Sequence, residues 1–460
     1  MRRRDFIKTT IAMAAATALL PSSAEADVVP VDASNPLPMD QVVFDKDIFD
    51  KNDAQTIIIF LSGGMSDVVG NVKHVLEDII PNDMSLKKYP DKLISPTDNG
   101  FWKEAGGDYL EDMLVSGNLN VFRTCYNPTA ALAHGINQKR YMNGNEAGFN
   151  SGIVTTLMHV LNRNNAVSKD AILTNVAING SDYRLLEDGA TPTMLPDFLR
   201  PASFNRNLQN VYNYAMTSDG LVSVGDTSAT EKLNAANFST ELTALSQEHN
   251  LYDALSDIFN RRGEMSDFLD EIVNGDLPVQ YPSTVDGTRV EAAMRILINN
   301  PSTKIVSMVG GYNGWDDHSN AIENHTKRAS QLFEAIKVAI DHAGAVGKDS
   351  INIVVFGDFG RNLTLNSAGG WDHGNNQVLY WFGGKKFFNQ LGIVGETYLD
   401  EHVKKYRLYS HPTDSSYQLR PYSIAATIYA LYGVENPEVL TGGAGIIDPV
   451  DYTGKTFLRG

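Results

Sequence analysis

The chain has 460 residues, 42% hydrophobic and 20% charged, enough to bury one large core or two modest ones. Its formal charge of −17 opposes a polyanion and no basic patch relieves it, so nucleic acid is not an expected partner. Cys125 is the sole cysteine, which excludes an internal disulfide and reads as a core thiol.

At the amino terminus, Arg3-Arg4-Asp5-Phe6-Ile7-Lys8 resembles a twin-arginine export motif. The mild apolar run from Thr9 to Leu20 is far short of the ~20 residues that span a bilayer. Ala24-Glu25-Ala26 forms a small-x-small cleavage site, so residues 1–26 read as a signal peptide. The mature protein is then expected in the periplasm or outside the cell, delivered by the twin-arginine machinery, with no stable membrane span. Residues 27–54, with Pro30, Pro36 and Pro38, read as an extended leader ahead of a domain over 55–460.

Thr56–Leu61 is a near-continuous apolar run, as a strand buried on both faces requires, and it ends in the turn Ser62-Gly63-Gly64. Further strands are expected over Leu119–Arg123, Ile172–Ile178, Lys304–Val309, Ile351–Phe356 and Val378–Phe382. A helical pattern runs from Ser319 to Ala345, and another from Tyr422 to Tyr432 is ended by Gly433. Between about 181 and 286 the sequence is polar and helical without clear strands, which reads as a helical insertion. The alternation predicts an α/β fold with a mostly parallel sheet.

Loops at the carboxyl ends of such strands bind ligands. Ser62, Ser66 and Asp67 follow the first strand, Asp316 and His318 the Lys304–Val309 strand, and Asp358 and Arg361 the Ile351–Phe356 strand. Asp372 and His373 come just before the next. Carboxylates and imidazoles of this kind suit a divalent metal such as zinc or manganese. Asp316 or Asp317 could instead cap the following helix. Asp372 could orient His373 rather than bind metal. Arg361 suits an anionic oxygen or a surface ion pair. His325, His342 and His402 read as solvated, and His411 could go either way. There is no Gly-x-Ser-x-Gly elbow, Walker loop or His-Glu-x-x-His, and Gly442-Gly443-Ala444-Gly445 reads as a turn.

In order, Ser62-Gly63-Gly64-Met65-Ser66, Gly310-Gly311, Trp315-Asp316-Asp317-His318, Asp358-Phe359-Gly360-Arg361 and Asp372-His373-Gly374 resemble the domain-of-unknown-function 1501 family. The segment Phe122–Gly144 and the end, Ser423–Val434, resemble it too. That family consists largely of twin-arginine-exported proteins of the alkaline phosphatase and sulfatase superfamily. The resemblance implies a doubly wound sheet of alkaline-phosphatase-like type with a metal site at its carboxyl edge. One metal would be held by Asp316, His318 and His373, and Asp372 is a further candidate. A second would use Asp358, but Phe359 stands where many relatives have histidine. Ser62 stands near the place of an aspartate, with Asp67 its stand-in. Where relatives start a helix with a hydroxyl nucleophile, this chain has His134-Gly135; Thr124 and Thr129 are the nearest hydroxyls.

The resemblance therefore implies a metal-dependent hydrolase of a small anionic ester, phosphate or sulfate, using one or two ions and metal-activated water. His134 could be a covalent nucleophile, a third-metal ligand or a general acid, or could merely cap or line its helix. With metal-activated water, His134 or Asp67 would handle protons and Arg361 would balance the anion, with Ser62 and Ser66 binding substrate. The alternative is an exported binding or assembly protein that has lost catalysis.

Overall fold

The computed structural model describes residues 36–178, 275–401 and 406–459 except Asp91, Ala131, Tyr312 and Asn313. It also describes 183–186, 195–204, Phe268 and Ile272, and the backbone of 214–217 and 220–223. The expected signal peptide lies outside the described residues.

The central sheet is built from β1 (Gln55–Leu61), β2 (Leu119–Tyr126), β3 (Asn175–Ile178), β4 (Ala202–Phe204), β5 (Ile305–Val309), β6 (Ile351–Gly357), β7 (Asn376–Gly383) and β8 (Ile393–Val394). Their spatial order is β8-β2-β7-β6-β1-β5-β3-β4. β1 lies parallel between β5 and β6, with Thr56 opposite Ile305 and Gln55 opposite Ile351. Only β7 runs against its neighbours, β2 and β6, so the sheet is mixed and mostly parallel. The apolar run of β1 is explained by burial on both sides. Ile57, Ile59 and Leu61 enter one core, and Ile58 and Phe60 the other.

Helices cover both faces, as a doubly wound fold requires. They are α1 (Lys46–Asn52), α2 (Gly107–Val115), α3 (His134–Asn143), α4 (Ile153–Arg163), α5 (Val285–Asn299), α6 (Ala321–Ala345) and α7 (Tyr422–Leu431). Leu110 of α2, Val290 of α5 and Phe333 of α6 fill the first core. Phe49 of α1, Leu157 of α4 and Ile428 of α7 fill the second.

Two expectations need correction. The leader is not extended throughout, because α1 forms within it. The Asp45 carboxylate accepts the N–H groups of Asp47 and Ile48 at 2.8 and 3.1 Å, and Phe49 is buried near Tyr432. The stretch 181–286 is not free of strands. Its β4 pairs in parallel with β3 at the sheet edge, and Tyr214–Thr217 pairs with Gly220–Ser223 as a hairpin. Strand pairing satisfies backbone groups whatever the side-chain pattern, so a polar sequence gave no warning. Much of that stretch lies outside the described residues.

Candidate metal centre

β5, β1 and β6 lie side by side and send their following loops to one edge. After β1 the chain turns through Gly63 and Gly64 at φ +102° and +75°, where a Cβ on Gly63 would collide with the Asp316 backbone. That close approach seats the Trp315–His318 loop against β1. Gly360–Arg361 pairs antiparallel with His373–Gly374, placing His373 opposite Arg361. α3 contributes His134 from its first position.

One ligand atom from each of His134, Asp316, His318 and His373 lies within 4.8 Å of all the others. Asp316 Oδ1 is the hub, 3.1 Å from His134 Nε2, 3.0 Å from His318 Nε2 and 3.6 Å from His373 Nε2. The opposite nitrogen of each ring faces an acceptor. His134 Nδ1 lies 2.5 Å from Asp358 Oδ2, His318 Nδ1 3.1 Å from Asp372 Oδ1, and His373 Nδ1 2.6 Å from the Leu132 carbonyl. A carbonyl can only accept, so His373 carries its proton on Nδ1 and offers a lone pair at Nε2. The two carboxylates favour the same tautomer in His134 and His318. The buried Nε2 atoms of His134 and His373 make no hydrogen bond. Lone pairs meeting a carboxylate oxygen repel unless a metal ion, or a proton on Nε2, sits between them. Three imidazoles and one carboxylate are a donor set that fits zinc.

Arg361 is buried and holds the centre together. Its guanidinium donates to Asp316 Oδ1 at 2.8 Å, to the Trp315 carbonyl at 3.1 Å, to Gly64 at 3.2 Å, to Trp371 at 3.4 Å, and to the Gly63 carbonyl. Burial opposes ionisation of Asp316, but hydrogen bonding and charge from Arg361, followed by the charges of His134 and His318, pull its pKa down to about 2. For His134, burial disfavours the charged ring, yet Asp358 and Asp316 outweigh it and raise the pKa. For His373, burial dominates and lowers it. Phe359 packs 4.6 Å from the His134 ring and 4.5 Å from that of His373, measured between centroids.

Asp316, His318 and His373 thus come together as the sequence reading grouped them, and other expectations shift. His134, left open between nucleophile, proton carrier and third-metal ligand, stands among the converging ligands. Asp358 is fully buried, holding His134 Nδ1 and the Gly63 N–H, and is absent from the converging set. Asp372 orients His318, not His373, and its other oxygen pairs with Arg407 at 2.7 Å. Arg361 is neither on the surface nor open to a substrate anion, because backbone carbonyls and Asp316 engage it. Ser66 and Asp67 turn away in a short 3-10 helix, where Ser66 is buried. Asp67 is buried and accepts from Asn376 at 2.8 Å and from Ser410, and burial pushes its pKa up to about 7. Ser62 is half-buried and accepts from Gln138 at 2.9 Å.

Neither Asp316 nor Asp317 caps α6, which begins after Asn320 without a side-chain cap. Asp317 instead meets His325 Nδ1 at 2.9 Å and Arg328 at 2.7 Å. His325 is fully buried, not solvated, and its Nε2 accepts the Ser66 N–H at 3.1 Å. Its burial was signalled by helical spacing, since Ile322, His325, Ala329, Leu332 and Ile336 share one buried face of α6. His342 is also buried, 3.0 Å from the Tyr281 hydroxyl. His411 is half-buried beside the Tyr126 hydroxyl at 3.3 Å, and His402 lies outside the described residues. Cys125 is buried and free. Arg407 was not singled out by the sequence, where it lies among lysines and tyrosine without a motif.

Among the described residues this is the one group of three or more such side chains able to share an ion. No curated protein sequence matches the chain. Several solved structures resemble it in part. A structure of Ps i-CgsB in complex with k-i-k-neocarrahexaose has a TM-score of 0.40 at 13% identity, with 88% of this chain and 77% of that one covered. The PsFucS1 sulfatase from Pseudoalteromonas sp. has a TM-score of 0.37 at 12% identity, covering 90% and 75%. A protein in the alkaline phosphatase superfamily from Vibrio parahaemolyticus has a TM-score of 0.31 at 11% identity, covering 84% and 68%. The family read from the ordered motifs is also the one whose model matches: residues 226–399, which carry Asp316, His318, Asp358, Arg361, Asp372 and His373, fit the family described as "Protein of unknown function (DUF1501)".

Proposed function

We propose that this chain is an exported, metal-dependent hydrolase of a phosphate or sulfate ester that works through water. The observation supporting this reading is the convergence of three imidazole Nε2 atoms on Asp316 while every Nδ1 faces an acceptor. A divalent ion, zinc or manganese, held by His134, Asp316, His318 and His373 would supply Lewis-acid polarisation and lower the pKa of water to ~7.

The chain's own residues do the rest. Asp358, Asp372 and the Leu132 carbonyl keep the protons on Nδ1 and the lone pairs on Nε2. Arg361 offsets the charge of Asp316 and ties together the loops after β1 and β5. Phe359, itself buried, packs against two of the rings. Ser62, half-buried beside Gln138, is assigned to substrate binding. A covalent hydroxyl mechanism is disfavoured, because Thr124 donates to the Tyr417 carbonyl and Thr129 to Asn127. Export rests on the Arg3-Arg4 motif, and Arg3→Lys with Arg4→Lys should leave the protein in the cytoplasm.

The test is metal content and esterase activity of the exported protein and of His373→Ala. The proposal requires about one equivalent of metal in the wild type, with turnover of a phosphate or sulfate ester, both lost in the variant. Unchanged activity in His373→Ala would overturn it.

One observation favours a second reading, a non-catalytic binding or assembly protein. Four protein ligands would satisfy zinc as in closed structural sites, whereas catalytic zinc keeps an open position. Against that, the Asp316 and His318 side chains are 47% and 45% exposed, so the centre opens to solvent. Stoichiometric metal without turnover of any phosphate or sulfate ester would establish the second reading.

A further inference from the structure

An anionic ester approaching this centre meets an acidic protein of formal charge −17, so a local cation must receive it. Arg361 cannot, since it is buried among backbone carbonyls. Arg328 is engaged by Asp317 at 2.7 Å and by the Gly314 carbonyl at 2.5 Å. Arg407 differs. Its side chain is 33% exposed, and its Nη2 lies 2.7 Å from Asp372 Oδ2. The other oxygen of that carboxylate lies 3.1 Å from His318 Nδ1. One carboxylate therefore bridges an outward-reaching guanidinium to an imidazole of the centre.

Two further features prepare Arg407 for a ligand. Its guanidinium lies 5.7 Å from the centre of the Tyr406 ring, which restrains its direction. It also makes a side-chain hydrogen bond with Tyr409. A guanidinium has five N–H donors in a planar fork, more than Asp372 and Tyr409 use, and that fork matches the paired oxygens of a phosphoryl or sulfuryl group.

We infer that Arg407 binds the non-bridging oxygens of the anionic ester and so determines specificity for it, with Asp372 as the positioning residue that fixes Arg407 and His318 together. This inference rests on the hydrolase reading above. It adds the recognition of tetrahedral oxyanions by a residue outside the metal ligands.

The test uses zinc-loaded full-length exported protein, as wild type, Arg407→Gln, Arg407→Lys and a remote charge control, Lys337→Gln. Lys337 pairs with Asp341 on the exposed side of α6. Metal content is measured for each, and the dissociation constants of inorganic phosphate and sulfate are measured by calorimetry, with KM and kcat on whichever ester is turned over. Metal should remain at the wild-type level in all four. Arg407→Gln should weaken phosphate or sulfate binding about tenfold or more and raise KM more than it lowers kcat. Arg407→Lys should recover part of the loss, and Lys337→Gln should bind as wild type. An unchanged anion affinity in Arg407→Gln overturns the inference and leaves the hydrolase reading intact. Loss of metal together with anion binding in both Arg407 variants also overturns it, making Arg407 a support of His318 alone. Absence of metal from the wild type overturns the hydrolase reading, and this inference with it.

Discussion

Asp316 and Asp317 are neighbours in sequence, yet each anchors a different histidine system. Asp316 faces three rings whose Nδ1 atoms are already engaged, at a site open to solvent. Asp317 meets His325 in a sealed pocket, where the ring lies between Trp315 and Trp371 at centroid distances of 5.2 and 4.9 Å. There the Ser66 N–H occupies Nε2, so no lone pair remains for an ion. Residue type does not separate a metal ligand from a structural histidine. What separates them is which nitrogen has a partner and whether water can enter.

The sharpest way to break this contrast is to remove a ring from each system. His373→Ala should reduce metal affinity by more than the 10–100-fold that loss of an outer partner costs, measured by competition with a chelator. His325→Ala should leave metal stoichiometry intact and destabilise the fold by roughly 3–5 kcal/mol in urea, through a cavity and an unsatisfied Ser66 N–H. If His325→Ala loses the metal and His373→Ala keeps it, the two roles have been assigned the wrong way round.

A second buried carboxylate sharpens the point by pH. Burial raises the Asp67 pKa from 3.8 to about 7, with Ser410 and Asn376 opposing the rise. The folded state therefore binds this proton more tightly than the unfolded chain. Its stabilising contribution is full below pH ~4 and is lost as pH rises to about 7, a swing of roughly 4 kcal/mol at most. Asp67→Asn should flatten that slope in denaturation curves taken between pH 4 and 8, with metal content unchanged. A slope that persists in the variant would assign the pH dependence to other groups.

The smallest effect is expected behind the ligands. Asp358→Asn should weaken metal binding 10–100-fold by loosening His134, without abolishing it. A complete loss would make Asp358 a ligand, as the sequence first suggested.

The sequence made much of this protein legible. Unbroken apolar runs such as Thr56–Leu61 mark strands buried on both faces, because only such strands need no polar side. The ordered motifs carry the resemblance to the family whose model matches residues 226–399, and they bring Asp316, His318 and His373 to one edge, because parallel strands send their carboxyl-end loops there. The resemblance runs over about Thr56 to Val434, and the residues that the family model matches lie within that stretch. What the sequence could not carry is side-chain direction. Asp358 and Asp372 read as ligands, but each turns one oxygen to an Nδ1 and the other to a different donor. Ser66 and Asp67 lie only two and three residues past Gly64, yet a 3-10 turn carries them inward. His134 is 182 residues from Asp316 along the chain, and no local pattern reports that their side chains meet. Local sequence determined most strands of the central sheet and the loops that follow them. The tertiary structure alone decided which nitrogen each acceptor engages, because those partners come from loops far apart in the chain and meet only when the sheet has closed its hydrogen bonds.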